Sequence, residues 1–146
     1  MKVGFLGLGK LGLPCALAIE SKGHIIYGYD INSKVIQDIK NKKLRYKEKW
    51  ADELLYKSKI NLCTPHELVK NSEIIFVPIQ TPHQKEYEGI TRLPKERVDF
   101  DYSYLKKGIY HLADIIKNNG QSKIVVIIST VLPGTIRNEI KPLLNR

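Results

Sequence analysis

The sequence predicts an α/β fold, a doubly wound parallel sheet of about five strands in the order 3-2-1-4-5 with helices on both faces. Three observations lead there. Short apolar runs alternate with segments of helical period, the pattern that joins parallel strands through helical crossovers. Three glycines, Gly7, Gly9 and Gly12, stand where the first run gives way to a helical segment. Polar, turn-forming stretches at residues 79–82 and 129–135 follow the fourth and fifth runs, at the strand ends where such sheets gather their ligands. Right-handed crossovers give the strand order and leave a crevice between strands 1 and 4.

The first strand is read at residues 2–6, an apolar run suited to a buried parallel strand. The glycines that follow have the GxGxxG spacing. Gly7 permits the tight turn, Gly9 carries no side chain to hold a pyrophosphate off the backbone, and Gly12 lets the next helix pack close to the sheet. That helix is expected over residues 10–21 and ended by Gly23, with its N-terminal N–H groups and positive dipole end facing an anion. A second strand at 24–29 stops at Asp30, within the usual distance of about 20 residues after the loop, where a carboxylate accepts from adenosine ribose hydroxyls. These features predict a dinucleotide site with NAD preferred. A 2′-phosphate beside Asp30 would meet like charge, which Lys34 offsets in part. The alternative is a strand-turn-helix whose glycines serve packing alone.

Asn32 is a predicted N-cap for a helix with Val35, Ile36 and Ile39 on its apolar face. Residues 47–57 place Trp50, Leu54 and Leu55 at helical spacing, and 59–62 form a short third strand. Thr64-Pro65-His66-Glu67 is a capping-box pattern opening a helix to Asn71. The fourth strand is read at 73–78. Residues 83–100 then form a long polar segment without clear period, the length of a functional loop or lid. Asp101 caps a helix with Leu105, Ile109, Leu112, Ala113 and Ile116 on its apolar face, stopped by Asn118, Asn119 and Gly120. A fifth strand at 123–128, left at the sheet edge, and a last amphipathic segment through Leu143 and Leu144 complete the chain.

At 146 residues the chain fits one domain, 1–146. No apolar run approaches the roughly 20 residues that span a bilayer, and the first run leads straight into the glycine loop, so no membrane partner and a cytoplasmic location are expected. The net charge of +9, densest in KNKKLRYKEK at 40–49, raises nucleic acid as a partner. The run includes a glutamate and matches no recognition motif, so a solvated face is the preferred reading. Cys15 and Cys63 lack metal-ligand spacing and are read as buried small residues, with no metal expected.

Taken together, GLGKLGLP, the acid in YGYDIN, Thr81-Pro82, DFDYSYL and STVLPGT resemble the successive signatures of the NAD-binding domain of the UDP-glucose/GDP-mannose dehydrogenases, nearly end to end. Pro14, two residues after the third glycine, is more telling than the glycines. The resemblance implies a Rossmann-like domain of enzymes that oxidise the C6 alcohol of a nucleotide sugar to a carboxylate, using two NAD in successive hydride transfers. Carried over by position, Gly7, Leu8, Gly9, Lys10 and Leu11 would cradle the pyrophosphate ahead of Gly12. Asp30 would bind the adenosine ribose with Lys34 near it, and Thr81 and Thr130 would line the cofactor crevice. Thr130 is also the catalytic candidate, its hydroxyl helping to hold a water or oxyanion; the alternative is a local turn contact before Pro133.

The same resemblance marks departures. The family's nucleophilic cysteine in a GGxCxPKD-like motif, its substrate-binding lysine, central dimer helix and second Rossmann-like domain do not occur in these residues. Neither Cys15 nor Cys63 inherits the nucleophile's role. Of the scattered histidines only His83, in the long loop, is worth a test, and a solvent-exposed role is preferred there. The chain is therefore expected to bind NAD without oxidising sugar by itself, and a homo-oligomer remains open. The competing readings are a non-catalytic dinucleotide-binding or partner-binding module and another Rossmann dehydrogenase, of the 3-hydroxyacid or 6-phosphogluconate type.

Overall fold

In the computed structural model, which describes residues 1–90 and 92–145, strands and helices alternate as the sequence predicts. Thr91, inside the long loop, and Arg146 lie outside the described residues. The strands are β1 (Lys2–Leu6), β2 (Ile25–Tyr29), β3 (Asn61–Leu62), β4 (Ile74–Val77) and β5 (Ile124–Ile127). The helices are α1 (Gly12–Glu20), α2 (Ser33–Lys40), α3 (Ala51–Lys57), α4 (Pro65–Asn71), α5 (Ser103–Asn119) and α6 (Lys141–Leu144). The strands form one sheet in the order β3-β2-β1-β4-β5, every pair parallel.

The chain divides into two compact units, Met1–Pro78 with Ile115–Ile128, and Ile79–Asp114 with Ser129–Arg146. The first holds the sheet. Side chains alternate across β1, so Val3 and Phe5 point to one face, where they cluster with Leu13, Ala16 and Leu17 of α1, Ile39 of α2 and Leu55 of α3. Gly4 points to the other. A Cβ there would meet Ser72 Oγ at 2.7 Å and Leu68 Cδ2 at 2.8 Å, so α4 lies directly on that face. Glycine in the middle of β1 is thus a condition of close helix-sheet contact.

Several boundaries differ from those expected, each for a local reason. The first helical bond runs from Leu13 N–H to the Gly9 carbonyl at 3.0 Å, so α1 starts at Gly12 and leaves Lys10 and Leu11 in the turn before it. Trp50 is not part of an apolar helical stripe. It stands at the N-cap of α3 with φ +66° and is 65% exposed, with Lys49 Nζ 4.5 Å above its ring, while Ala51 and Leu55 take the core positions. The third strand shrinks to two residues because the preceding N–H groups are bound elsewhere, Lys59 to Glu20 Oε1 at 2.8 Å and Ile60 to Ser58 Oγ at 3.1 Å. The last segment is a π-type turn, Ile136–Ile140, before α6, and Pro142 just beyond the switch has no N–H to bond back.

The capping box at α4 is complete. Glu67 N–H donates to Thr64 Oγ1 at 3.3 Å, and the Thr64 N–H and hydroxyl donate to Glu67 Oε2 at 2.8 and 2.9 Å. Those two donors hold the Glu67 carboxyl below its ordinary value, the backbone N–H first. Its contribution to stability is present above the unfolded carboxyl's value and is lost as pH falls through the lowered one. Thr64→Ala is expected to cost about 1 kcal/mol in urea denaturation at neutral pH, with the difference from wild type shrinking as Glu67 protonates.

In the second unit, Asp101 N–H donates to the Pro82 carbonyl at 2.8 Å, so the long loop leaves and returns at one place. A 3-10 turn (Lys85–Tyr87) and a bond from the Tyr87 hydroxyl to the Glu96 carbonyl at 2.8 Å give the loop its internal order. Asp101 Oδ1 accepts from Ser103 N–H at 2.9 Å, the capping contact read from the sequence. Of this unit's residues, Tyr102, Leu105, Ile109, Leu112 and Ile140 are buried, and Lys106 pairs with Glu139.

Candidate functional site

The glycine loop is built by the end of β1. Gly7 N–H donates to the Tyr29 carbonyl at 2.8 Å, continuing the β1–β2 ladder, and its φ of +125° then turns the chain as only glycine does readily. Gly12 is buried. A Cβ on it would strike the Gly7 carbonyl oxygen and come within 2.8 Å of Pro78 Cγ, whereas a Cβ on Gly9 would meet nothing within 4 Å. One glycine is closed in by its own loop and the other faces open space.

No side chain caps α1, and its first turn carries no acidic residue. Among the described residues no acceptor takes the N–H groups of Gly9, Lys10 or Leu11. Unpaired donors at the positive end of a helix, beside an open glycine, are the arrangement that holds a pyrophosphate. Such a group fits the loop without a basic side chain.

Asp30 stands at the end of β2, where its carboxylate joins the loop to the helix that follows. Oδ2 accepts from Leu8 N–H at 2.7 Å and Oδ1 from Asn32 N–H at 2.8 Å. Each oxygen keeps a further lone-pair direction, as a ribose diol requires. Asn32 caps α2 by accepting from Lys34 N–H at 3.0 Å. Lys34 itself is exposed and in no ion pair with Asp30 among the described residues; its charge acts on Asp38.

Tyr46, inside the basic run at 40–49, comes to the loop as well. Its hydroxyl lies 3.5 Å from the Gly9 carbonyl, and burial, with the charge of Glu48, pushes its pKa up to about 12. The run is partly tied down around it. Lys42 Nζ donates to the Ser58 carbonyl at 2.5 Å, Arg45 pairs with Asp38, and Leu44 packs on the core. An aromatic residue among lysines was the available signal.

Thr81 and Thr130 meet in the second unit. The Thr81 hydroxyl donates to the Thr130 carbonyl at 2.7 Å, while Thr130 is exposed. The turn carrying Thr130 is held again two residues on, where Leu132 N–H donates to the buried Tyr102 hydroxyl at 3.0 Å. Thr81 therefore spends its donor on the neighbouring turn, a use that its position in the sequence did not reveal.

Residues 1–146 match the model of the UDP-glucose/GDP-mannose dehydrogenase family, NAD binding domain. The chain belongs to this family. It is 32% identical over 139 residues to the UDP-N-acetyl-D-mannosamine dehydrogenase of Pyrococcus horikoshii, covering 92% of this chain and 30% of that protein. Against a GDP-mannose 6-dehydrogenase of Pseudomonas savastanoi the identity is 28% over 149 residues, with 99% and 32% covered. The structure of a ternary complex of GDP-mannose dehydrogenase from Pseudomonas aeruginosa superposes with a TM-score of 0.85 at 27% identity, covering 99% of this chain and 32% of that one. The chain spans about a third of the length of these relatives. NAD is the cofactor of the family's domain, in agreement with Asp30 and the open loop.

The cysteines stand apart from this chemistry. Both are half-buried rather than fully buried, and burial raises each thiol pKa, that of Cys63 to about 11 with help from the charge of Glu67. Neither is a thiolate at neutral pH. His83 is exposed and meets Phe100 edge-on at 6.4 Å between ring centroids. Among the described residues no group of three or more His, Cys, Asp or Glu side chains is placed to hold a metal, and no helix is long and apolar enough to cross a membrane.

Proposed function

We propose that this chain is the cofactor-holding part of a nucleotide-sugar 6-dehydrogenase, in which NAD accepts hydride as a sugar C6 alcohol is oxidised toward the carboxylate. The carrying observation is the uncapped α1 N-terminus beside an open Gly9, with the Asp30 carboxylate tied to Leu8 N–H at 2.7 Å. The N–H groups of Gly9, Lys10 and Leu11 bind the pyrophosphate, with Gly7, Leu8 and Gly12 shaping the loop. Asp30 accepts from the ribose hydroxyls, and Lys34 contributes a positive field on the same rim. Thr81 and Thr130 serve the cofactor's reactive end, where the Thr130 hydroxyl donates to a water or developing oxyanion. UDP- and GDP-sugar substrates are suggested by the relatives' names.

The covalent chemistry that the family resemblance assigns to a cysteine has no counterpart in Cys15 or Cys63, whose thiols stay protonated. The chain alone should therefore bind NAD and leave a nucleotide sugar unoxidised. Calorimetric titration with NAD and NADP tests the binding, with NAD expected to be the tighter ligand by about tenfold or more, equivalent to 1.4 kcal/mol. Absence of NAD binding would overturn the reading. Steady NADH production from UDP-glucose or GDP-mannose would overturn the division of labour.

A further inference from the structure

The Tyr102 hydroxyl is fully engaged, with Tyr102 and Thr135 each only 5% exposed. It donates to Asp99 Oδ1 at 2.5 Å, accepts from Leu132 N–H at 3.0 Å and accepts from Thr135 Oγ1 at 3.4 Å. A phenol has one donor and two acceptor positions, so its capacity is filled. The direction of each bond is also determined. Leu132 N–H can only donate and the Tyr102 proton goes to Asp99 Oδ1, which leaves the Thr135 hydroxyl to donate to the remaining lone pair.

We propose that Tyr102 is a positioning residue for Thr130, and that Asp99 orients Tyr102 for the purpose. The proposal rests on the reading that Thr130 acts at the cofactor's reactive end. Thr130 stands on an exposed turn that contains Pro133 and Gly134, the latter at φ +94°, and in which Thr135 N–H donates to the Leu132 carbonyl at 3.2 Å. Two side-chain hydroxyls from other segments hold it, Thr81 at the Thr130 carbonyl and Tyr102 at Leu132 N–H. The Thr81 bond holds the peptide plane between Thr130 and Val131 and the Tyr102 bond the next one, between Val131 and Leu132, which together limit the directions open to the Thr130 side chain. Asp99 is the next-to-last residue of the 83–100 loop, so the same hydroxyl ties the loop's return to the Thr130 turn.

The test is Tyr102→Phe, which keeps the buried ring and removes only the oxygen. In wild type, NAD added to the isotopically labelled chain should shift the Thr130 methyl resonance as well as the amides of Gly9 and Lys10. In Tyr102→Phe the glycine-loop shifts should persist while the Thr130 response falls by at least about half, and Leu132 amide exchange should quicken by about 10- to 100-fold. Asp99→Asn keeps an acceptor and should give an intermediate Thr130 response; it is the second variant to measure should Tyr102→Phe fold poorly. A Thr130 response unchanged in both variants would overturn the proposal alone. Glycine-loop shifts in wild type without any response at Thr130 would overturn the Thr130 reading and the proposal with it.

Discussion

Gly9→Ala should leave the stability of the chain within about 0.5 kcal/mol of wild type and weaken NAD binding by about tenfold or more, or 1.4 kcal/mol. Gly12→Ala should do the reverse in order of cause, lowering stability by about 1–3 kcal/mol through overpacking and losing NAD as the loop deforms. The two glycines are equivalent in the motif and opposite in their surroundings. Gly9 has a φ outside the left-handed region and nothing within 4 Å of an added Cβ, so the methyl fits the protein and intrudes only on what approaches from outside. At Gly12 the obstacle is the Gly7 carbonyl, backbone that cannot swing aside, together with the Pro78 ring. Urea denaturation and calorimetric titration of both variants separate the effects. Wild-type NAD affinity in Gly9→Ala would mean that the pyrophosphate lies elsewhere, and wild-type stability in Gly12→Ala would mean that the loop can yield.

The contrast shows which parts of the site were legible in the sequence. Spacing located the loop, the helix and the acid, because strand-turn-helix geometry restricts what can stand at Gly7, Gly9, Gly12 and Asp30. Strand order was legible for the same reason, since handed crossovers leave few topologies for this alternation. Partners supplied by distant segments were not. Pro78 against Gly7 and Gly12, Tyr46 at the Gly9 carbonyl, and the Tyr102 hydroxyl at Leu132 all join residues separated by tens of positions. Trp50 failed for a different reason: periodicity counts a large apolar residue as inward, but a left-handed backbone at the N-cap turned it out to solvent. Lys59 and Ile60 looked like strand because nothing in their side chains announces that Glu20 and Ser58 take their N–H groups.

Asp30→Ala should reduce NAD affinity by about 10- to 100-fold and destabilise the free protein by about 1–3 kcal/mol, because the carboxylate serves both the fold and the ligand. Its removal leaves Leu8 N–H, in a residue only 1% exposed, without its 2.7 Å acceptor. Asp30→Asn separates the two roles. The amide oxygen can still accept from Leu8 or Asn32, so the stability loss should be smaller, while the negative charge is gone. Charge outweighs hydrogen bonding in cofactor choice: two unit charges 4 Å apart interact by about 4 kcal/mol at an effective dielectric of 20, against about 1.5–3 kcal/mol for a hydrogen bond to a charged group. Asp30→Asn should therefore lose NAD affinity and gain NADP affinity, narrowing or inverting the preference. Titration of wild type and Asp30→Asn with both cofactors measures this directly. Equal losses for NAD and NADP would show that Asp30 acts only through Leu8 and the loop, and that the 2′ position is read by another residue.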